Sequence, residues 1–341
     1  MIMIITQTPF RMSFFGGGTD MECFFLENGG AVLSTTFDKY CYVNVRHLPR
    51  FFDYSTELSY SKTERVNELD EIQHPAIRNA MKMLDMHEIR LTYEADLPAR
   101  SGLGTSSSFA VGMLNAFYAL KGKYASKKQL ADEAIYLERI LCDEAGGWQD
   151  QIAASYGGFN RINFNQDRTY DVLPVIISPE RKKQLNDNLM MFFTGFTRFS
   201  SDVQKANAGT KEKQEEKKKR LKEMLSLVDE AESILTDKEK NLDDFGRLLD
   251  HTWQLKKQTG SAVSTSNIDV LYEKGMQAGA LGGKLLGAGG GGFLVFYVRP
   301  EYQEAVEEAM KELMYIPFKF EDGGTRVIHY TPEAYEPQEN D

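Results

Sequence analysis

Three glycine clusters constrain this 341-residue chain more than any other feature: Gly16-Gly17-Gly18, Gly102-Leu-Gly104 and Gly287-Ala-Gly289-Gly290-Gly291-Gly292. Glycine loses more conformational freedom on ordering than other residues, so such clusters mark tight turns or close backbone approach. One turn of this kind needs no function. Three, each beside polar side chains suited to a phosphate or a sugar, point to a ligand site gathered from distant parts of the chain.

The elements around the clusters are of mixed type. Ile2 to Thr8, Ala31 to Phe37 and Cys41 to Arg46 read as strands, the last with Cys41, Val43 and Val45 alternating against Tyr42, Asn44 and Arg46. Pro75 to Met86 reads as helix and Ile89 to Glu94 as strand. After the turn Ser101–Ser108, the spacing of Phe109, Met113 and Phe117 predicts an amphipathic helix to Leu120. Ser126 is placed to cap a helix from Lys127 to about Asp143. Strands are expected at Gly157–Phe164, Tyr170–Ile177, Leu189–Thr194 and Phe293–Val298. Helices are expected from Lys211 past Leu235, and at Asp243–Lys257, Ile268–Ala280 and Glu301–Met314. The shift from mixed α/β to mostly helix predicts a boundary near residues 180–188, dividing the chain into 1–185 and 186–341.

Composition narrows the partners. With 40 basic and 50 acidic side chains the formal net charge is −10, which disfavours nucleic acid. No run approaches the roughly 18–20 apolar residues of a membrane span. The opening MIMIITQTPFRMSFF lacks a basic n-region and a small-residue cleavage site, so it does not read as a signal peptide. Cys23, Cys41 and Cys142 are few and far apart, and five histidines are equally scattered, which indicates neither a disulfide framework nor a zinc site. The expectation is a soluble cytoplasmic protein with no membrane or nucleic-acid partner; a homodimer is left open.

The middle cluster, Pro98-Ala-Arg-Ser-Gly102-Leu-Gly104-Thr105-Ser106-Ser107-Ser108, precedes a helix. Unpaired N–H groups and the dipole at a helix start favour an anion, and glycines let it lie against the backbone. A Ser/Thr N-cap needs one hydroxyl; four in a row exceed that. The phosphate loop with a lysine, G-x-x-x-x-G-K-[ST], is absent: at Gly283-Lys284 the next residue is Leu285 and residue 278 is Ala. The third cluster matches G-x-G-x-x-G at Gly287, Gly289 and Gly292, but its strand follows the glycines, the reverse of the dinucleotide order, so a nicotinamide oxidoreductase is disfavoured. That loop is expected to pack on the phosphate loop or the substrate. The first cluster follows a strand and carries a cation, Arg11, and a carboxylate, Asp20. A guanidinium there suits developing charge and a carboxylate suits sugar hydroxyls; an ion pair holding a turn is the plainer alternative.

In this order, PFRMSFFGGGTD, LPARSGLGTSSSFAVG and KLLGAGGGGFLVF resemble the motifs of the GHMP kinases. The first is most similar to bacterial D-glycero-D-manno-heptose 7-phosphate kinases and to the kinase domain of L-fucokinases. Where galactokinases carry Glu-His, this chain has Gly17-Gly18. The resemblance implies an α+β (mixed α/β) fold of two domains, the first ribosomal-protein-S5-like and the second helical and ferredoxin-like. It implies ATP and Mg²⁺ as cofactors and a sugar phosphate as partner, phosphorylated at its anomeric hydroxyl. Nucleotide binding then falls to Arg100, Ser101, Gly102, Leu103, Gly104, Thr105, Ser106, Ser107 and Ser108. Gly146-Gly147-Trp148-Gln149-Asp150-Gln151 is similar to the stretch carrying the catalytic aspartate, which makes Asp150 the base, with Arg11 the cation near the transferred phosphoryl group. Glu138 and Ser106 match the magnesium ligands. Independently, Glu138 falls on the stripe of Ala131, Ala134, Ile135 and Cys142, where a carboxylate needs a partner. Ser13, Gly17, Gly18, Thr19, Asp20, Gly289 and Gly290 are assigned to the substrate. A 7-phosphate would need a cation, with Lys39, Arg46, Arg100, Arg161 and Arg198 as candidates. The rival readings are an L-fucokinase-like or other sugar 1-kinase and a non-catalytic sugar or nucleotide sensor.

Overall fold

Alternating apolar residues make two long strands, β1 (Ile4–Phe15) and β2 (Gly30–His47), the spine of a nine-stranded sheet. The structure, a computed structural model, describes residues 3–49, 51–99, 101–195, 211–260 and 262–331, with the backbone alone at 211–213. The two expected strands Ala31–Phe37 and Cys41–Arg46 are one strand. The register slips where Pro9 faces Tyr40 and Phe10 faces Phe37, so Asp38 and Lys39 form a bulge instead of a break. Proline has no N–H to give the ladder, which makes its position a natural place for the slip. Past the bulge Cys41, Val43 and Val45 are fully buried, as their alternation requires.

Antiparallel partners extend this sheet. β3 (Thr56–Ser59) and β4 (Thr63–Val66) form a hairpin at one edge, beyond β5 (Ile89–Ala95). β6 (Phe159–Phe164) pairs with the first half of β2, and β7 (Tyr170–Pro174) with β6. The helices α1 (Glu22–Asn28), α2 (Pro75–Met83), α3 (Thr105–Leu120), α4 (Lys127–Tyr136) and α5 (Gln149–Tyr156) belong to this half. The helix expected to run from Lys127 to Asp143 ends its α-helical part at Tyr136, and Leu137–Leu141 follow as one π-helical turn. Ser126 caps it as expected, accepting from the Gln129 N–H.

The second sheet is antiparallel with order β11-β8-β10-β9. Its members are β8 (Leu189–Phe193), β9 (Ala280–Leu285), β10 (Phe293–Val298) and β11 (Met314–Tyr315). Before β8 lies α6 (Pro179–Asp187). Between β8 and β9 run α7 (Lys211–Thr236), α8 (Asp243–Lys257) and α9 (Ser266–Gln277); α10 (Gln303–Ala309) precedes β11. Counting the four strands in chain order gives 4-1-3-2 with helices between the first and second and between the third and fourth, the ferredoxin-like arrangement. The expected helix Glu301–Met314 is shorter, a 3₁₀ turn Pro300–Tyr302 followed by α10. The part of the chain from Leu189 onward supplies all of the second sheet. It also returns two strands, β12 (Phe320–Glu321) and β13 (Arg326–Tyr330), to β2 and β1.

One apolar core joins the halves. Phe14 and Phe15 from β1 meet Phe245 of α8 edge-on at ring centroid separations of 5.3 and 5.1 Å. Val228 of α7, Leu286 and Phe293 lie in the same cluster. The three glycine turns sit at this junction.

Candidate active site

Two of the glycine loops interlock. Gly102 and Gly287 are so close that a Cβ on Gly287 would stand 2.3 Å from the Gly102 Cα, and one on Gly102 would stand 2.3 Å from the Leu286 carbonyl oxygen. With φ of +83° and +78°, both positions also favour glycine for their backbone. A Cβ on Gly292 would meet the Ser101 carbonyl at 2.1 Å. The third cluster thus packs on the second, as one arm of the sequence reading expected. Gly289 and Gly290 face elsewhere: the Gly290 N–H donates to Val263 at 3.0 Å, and a Cβ on Gly289 would stand 2.5 Å from that same carbonyl.

The helix α3 starts earlier than its apolar spacing suggested, at Thr105, because the serines complete its first turn. Its cap is Gly104, in the left-handed region and with no side chain to satisfy the first-turn N–H groups. The hydroxyls diverge. Ser106 is exposed at the mouth of the loop, whereas Ser107 and Ser108 turn inward, Ser108 donating to the Pro9 carbonyl at 2.9 Å. Ser101 donates to the Pro98 carbonyl at 2.7 Å, Thr105 is buried, and buried Leu103 gives its carbonyl to the Arg11 N–H at 3.2 Å. Arg100 lies outside the described residues.

Glu138 sits on the π-helical turn and is 1 % exposed. Ser106 and Ser107 donate to its two oxygens at 2.8 and 2.7 Å, and Gln151 donates to the second as well. The Arg139 guanidinium stands 3.8 Å from it. Single π-helical turns are rare and recur at functional positions. Here the turn carries the carboxylate the apolar stripe had singled out.

Arg11 and Asp150 form the centre. Arg11 Nε donates to Asp150 Oδ1 at 2.7 Å, and Nη1 donates to the Gly102 carbonyl at 2.6 Å. Both side chains lie against Gly104, where a Cβ would be 3.3 Å from each Cγ. The second Asp150 oxygen takes no hydrogen bond among the described residues. Asp20 lies beside them, buried, accepting from the Gly18 N–H at 2.9 Å and the Gln149 N–H at 3.3 Å. Burial, and then the neighbouring Asp150 charge, push its carboxyl above the usual range.

Around Gly17 two polar atoms are stranded. Ser13 Oγ and Gln149 Oε1 are buried without a hydrogen-bond partner among the described residues. A Cβ on Gly17 would lie 3.8 Å from Ser13 Oγ and 4.0 Å from Gln149 Nε2. Both atoms are available to pair with a ligand hydroxyl entering beside Gly17. Thr19 is spent otherwise: its buried hydroxyl lies 2.8 and 2.9 Å from the Gly16 and Ala31 carbonyls and accepts from the Ala31 N–H at 3.1 Å, which locks the turn.

Comparisons with known proteins identify the family. Residues 72–158 match the model of the GHMP kinases N-terminal domain, and residues 215–316 match that of the GHMP kinases C-terminal domain. The D-glycero-alpha-D-manno-heptose 7-phosphate kinase of Campylobacter jejuni is 30% identical over 95% of this chain and 98% of its own length. The chain belongs to the GHMP kinases. The mevalonate kinase of Pyrococcus horikoshii is 28% identical over 75% of this chain and 72% of its own. Among solved structures, a D-glycero-D-manno-heptose 1-phosphate kinase from Bacteroides thetaiotaomicron, at 24% identity, shares the fold with a TM-score of 0.72 over 96% of this chain and 100% of its own.

Two lysines of this GHMP kinase escaped the sequence reading. Lys284, set aside because Leu285 follows it, is fully interior on β9 and donates to the carbonyls of Ser13 and Phe14 at 2.8 and 2.7 Å. Burial, then the charges of Lys256 and Arg11, hold its ammonium well below the ordinary lysine range. Lys256, in the last turn of α8, donates to the Gly287 carbonyl; burial, then Arg11, bring it down to about 8. Gly147 was also missed: a Cβ there would stand 1.8 Å from Asp20 Oδ2. Lys284 falls in no expected strand and Lys256 at the end of an expected helix; only the tertiary fold brings Lys284 to β1 and Lys256 to Gly287. Among the described residues no helix is long and apolar enough to cross a membrane.

Proposed function

We propose that this ATP-dependent sugar kinase transfers the γ-phosphoryl group to the anomeric hydroxyl of D-glycero-D-manno-heptose 7-phosphate, giving the 1,7-bisphosphate. The observation that carries the reading is the Arg11–Asp150 pair at the Gly104 end of α3, with Asp20 beside it. Identity to the Campylobacter jejuni kinase supports the choice of sugar.

Asp150 is the base. Arg11 holds one of its oxygens and leaves the second to accept the proton of the attacking hydroxyl. Phosphoryl transfer spreads charge over the transferred group, so catalysis rests on positioning and electrostatics. Arg11 supplies a cation next to the Gly102 carbonyl, where the loop 102–106 takes the nucleotide phosphates. Asp20, Ser13 and Gln149 take the sugar hydroxyls; the two stranded atoms there favour a polyhydroxylated acceptor. Gly17 and Gly18 keep that turn free of side chains, and Thr19 holds it in place.

Ser106 and Glu138 fit Mg²⁺, which prefers oxygen donors and keeps few protein ligands. No cluster of three or more His, Cys, Asp or Glu suited to a metal exists among the described residues. Bound there, the ion would neutralise phosphate charge.

The heptose 7-phosphate would still need a cation for its own phosphate. Arg161 is committed to Asp229 and Glu232, and Lys39 to Asp38. Arg46 is engaged elsewhere, and Arg100 and Arg198 lie outside the described residues. ATP and a sugar phosphate as substrates fit a cytoplasmic enzyme with no nucleic-acid partner.

The test is an acceptor panel with ATP and Mg²⁺, read by ADP release, with the new phosphate located by ³¹P NMR. The panel holds the heptose 7-phosphate, the heptose 1-phosphate, L-fucose and mevalonate. Fucose is included because the bifunctional fucokinase of Arabidopsis thaliana is 26% identical over 84% of this chain. Turnover of the 7-phosphate with a new phosphate at C1 is expected. Preference for any other acceptor overturns the substrate, and ADP release with none overturns catalysis in favour of a sensor.

A further inference from the structure

The last turn of α8 carries two adjacent lysines that diverge. Lys257 pairs with Asp269 of α9 at 3.4 Å. Lys256 runs inward, half-buried, and its ammonium donates to the Gly287 carbonyl. Gly287 is packed on Gly102, and Gly102 gives its carbonyl to Arg11. The ammonium therefore stands where the third glycine loop, the phosphate loop and the Arg11–Asp150 pair converge. No carboxylate forms an ion pair with it among the described residues.

A half-buried cation satisfied by one carbonyl is costly to hold in place. The charged groups around it are Arg11 on β1, which opposes its charge, Asp20 on the turn after β1, which favours it, and Lys284 on β9, which it repels in turn. Asp150 on α5 is already bonded to Arg11. Asp20 offsets the Lys256 charge only without an ion pair, and a polyanion entering the same cleft would meet that ammonium directly.

We propose that Lys256 is a second phosphoryl-facing cation, meeting the terminal phosphates of ATP from the side opposite the base while its bond to Gly287 keeps the third loop closed on Gly102. This rests on the reading that the loop at Gly102–Ser106 holds the nucleotide. Lys256 offsets charge that grows on the transferred group, an effect that acts on turnover more than on ground-state binding. It must be protonated to do so. Because its ammonium is brought down to about 8, the free enzyme loses this cation on the alkaline side of neutrality.

The test compares wild type, Lys256→Met and Lys256→Arg with ATP and the acceptor that wild type turns over best in the panel. The rate profile is read from pH 6.5 to 9.5, alongside thermal melting and the affinity of a non-hydrolysable ATP analogue. Lys256→Met is expected to lose about 100-fold in kcat, the size of losing one preorganised charge donor, with the KM for ATP changed less than fivefold. Lys256→Arg, whose guanidinium stays charged, is expected to recover most of the rate and to lose the alkaline fall near pH 8. A kcat within threefold of wild type in Lys256→Met overturns the proposal, as does an unchanged alkaline limb in Lys256→Arg. A Gly104→Arg variant separates the two readings. If it still binds the analogue as wild type does, the nucleotide lies elsewhere and the loop reading fails. If it loses binding while Lys256→Met stays active, only the role of Lys256 fails.

Discussion

Arg11 bridges the phosphate loop and the candidate base, with Nε 2.7 Å from Asp150 Oδ1 and Nη1 2.6 Å from the Gly102 carbonyl. One planar fork thus fixes the distance between the group that takes the proton and the loop assigned to the phosphates. Asp150→Asn preserves the shape but removes the base, and general-base loss costs roughly 10²–10⁴ in rate. The expected result is that drop in kcat with nucleotide affinity retained. Arg11→Lys keeps the charge but not the fork, so it is expected to bind ATP and turn over at least tenfold more slowly. Near-normal turnover in Asp150→Asn, measured by ADP release, would remove the base assignment.

Glu138 gathers three donors, from Ser106, Ser107 and Gln151, in a nearly closed space. Replacing it with Gln turns one acceptor into a donor and strands at least one partner, at about 1–3 kcal/mol. Glu138→Gln is therefore expected to melt at a lower temperature and to need more Mg²⁺ for half-maximal rate. Ser106→Ala, at an exposed hydroxyl, should shift the Mg²⁺ titration while leaving melting close to wild type. Superimposable Mg²⁺ titrations for all three proteins would show that the ion is held elsewhere.

Gly147 is the neighbour on which Asp20 depends. A methyl group there would stand 1.8 Å from Asp20 Oδ2 and 2.3 Å from its Cγ, so the carboxylate must move. Gly147→Ala is expected to raise the acceptor KM tenfold or more while the KM for ATP stays within threefold, since the added methyl meets Asp20 and the loop assigned to the nucleotide meets Asp150 at Gly104. Equal changes in both constants would mean that the substitution damages the site as a whole.

How far the sequence could be read follows from which interactions are local. The strand β10, the helix α8 and the capped start of α4 were legible at their true positions, because periodicity and a capping serine are local signals. The hairpin of β3 and β4 was not, since each strand has four residues and polar side chains at three of them. The bulge that fuses the halves of β2 depends on Pro9 in another strand. In the site, the first glycine motif singled out Arg11 and Asp20, the resemblance to the GHMP kinases singled out Asp150, and the apolar stripe singled out Glu138. Thr19, Gly289 and Gly290 shared those motifs, yet they hold the turns together. The motif marks the loop but not which atoms face the cleft. Lys256 and Lys284 had no signal at all, because Lys284 reaches β1 only when the second sheet folds against it, and Lys256 reaches Gly287 only when α8 packs beside β9.

The buried lysines make stability itself depend on pH, with a sign that can be worked out for Lys256. Its ammonium is brought down to about 8 in the folded chain, against 10.5 ordinarily. Between those values the unfolded chain holds a proton that the folded chain has released, so stability from this group rises with pH there. Below about 8 both states are protonated and the penalty of burying the charge is present in full. Lys256→Met cannot titrate, and Lys284, relieved of one repelling charge in the variant, adds no more slope there than in wild type, so its change does not reverse the sign. Urea midpoints at pH 7.5, 8.5 and 9.5 are therefore expected to move in favour of wild type, relative to the variant, as pH rises. The lost bond to Gly287 adds an offset without changing that slope. Parallel midpoints across the three pH values would show that the ammonium is solvated in solution and that its inward position is not maintained.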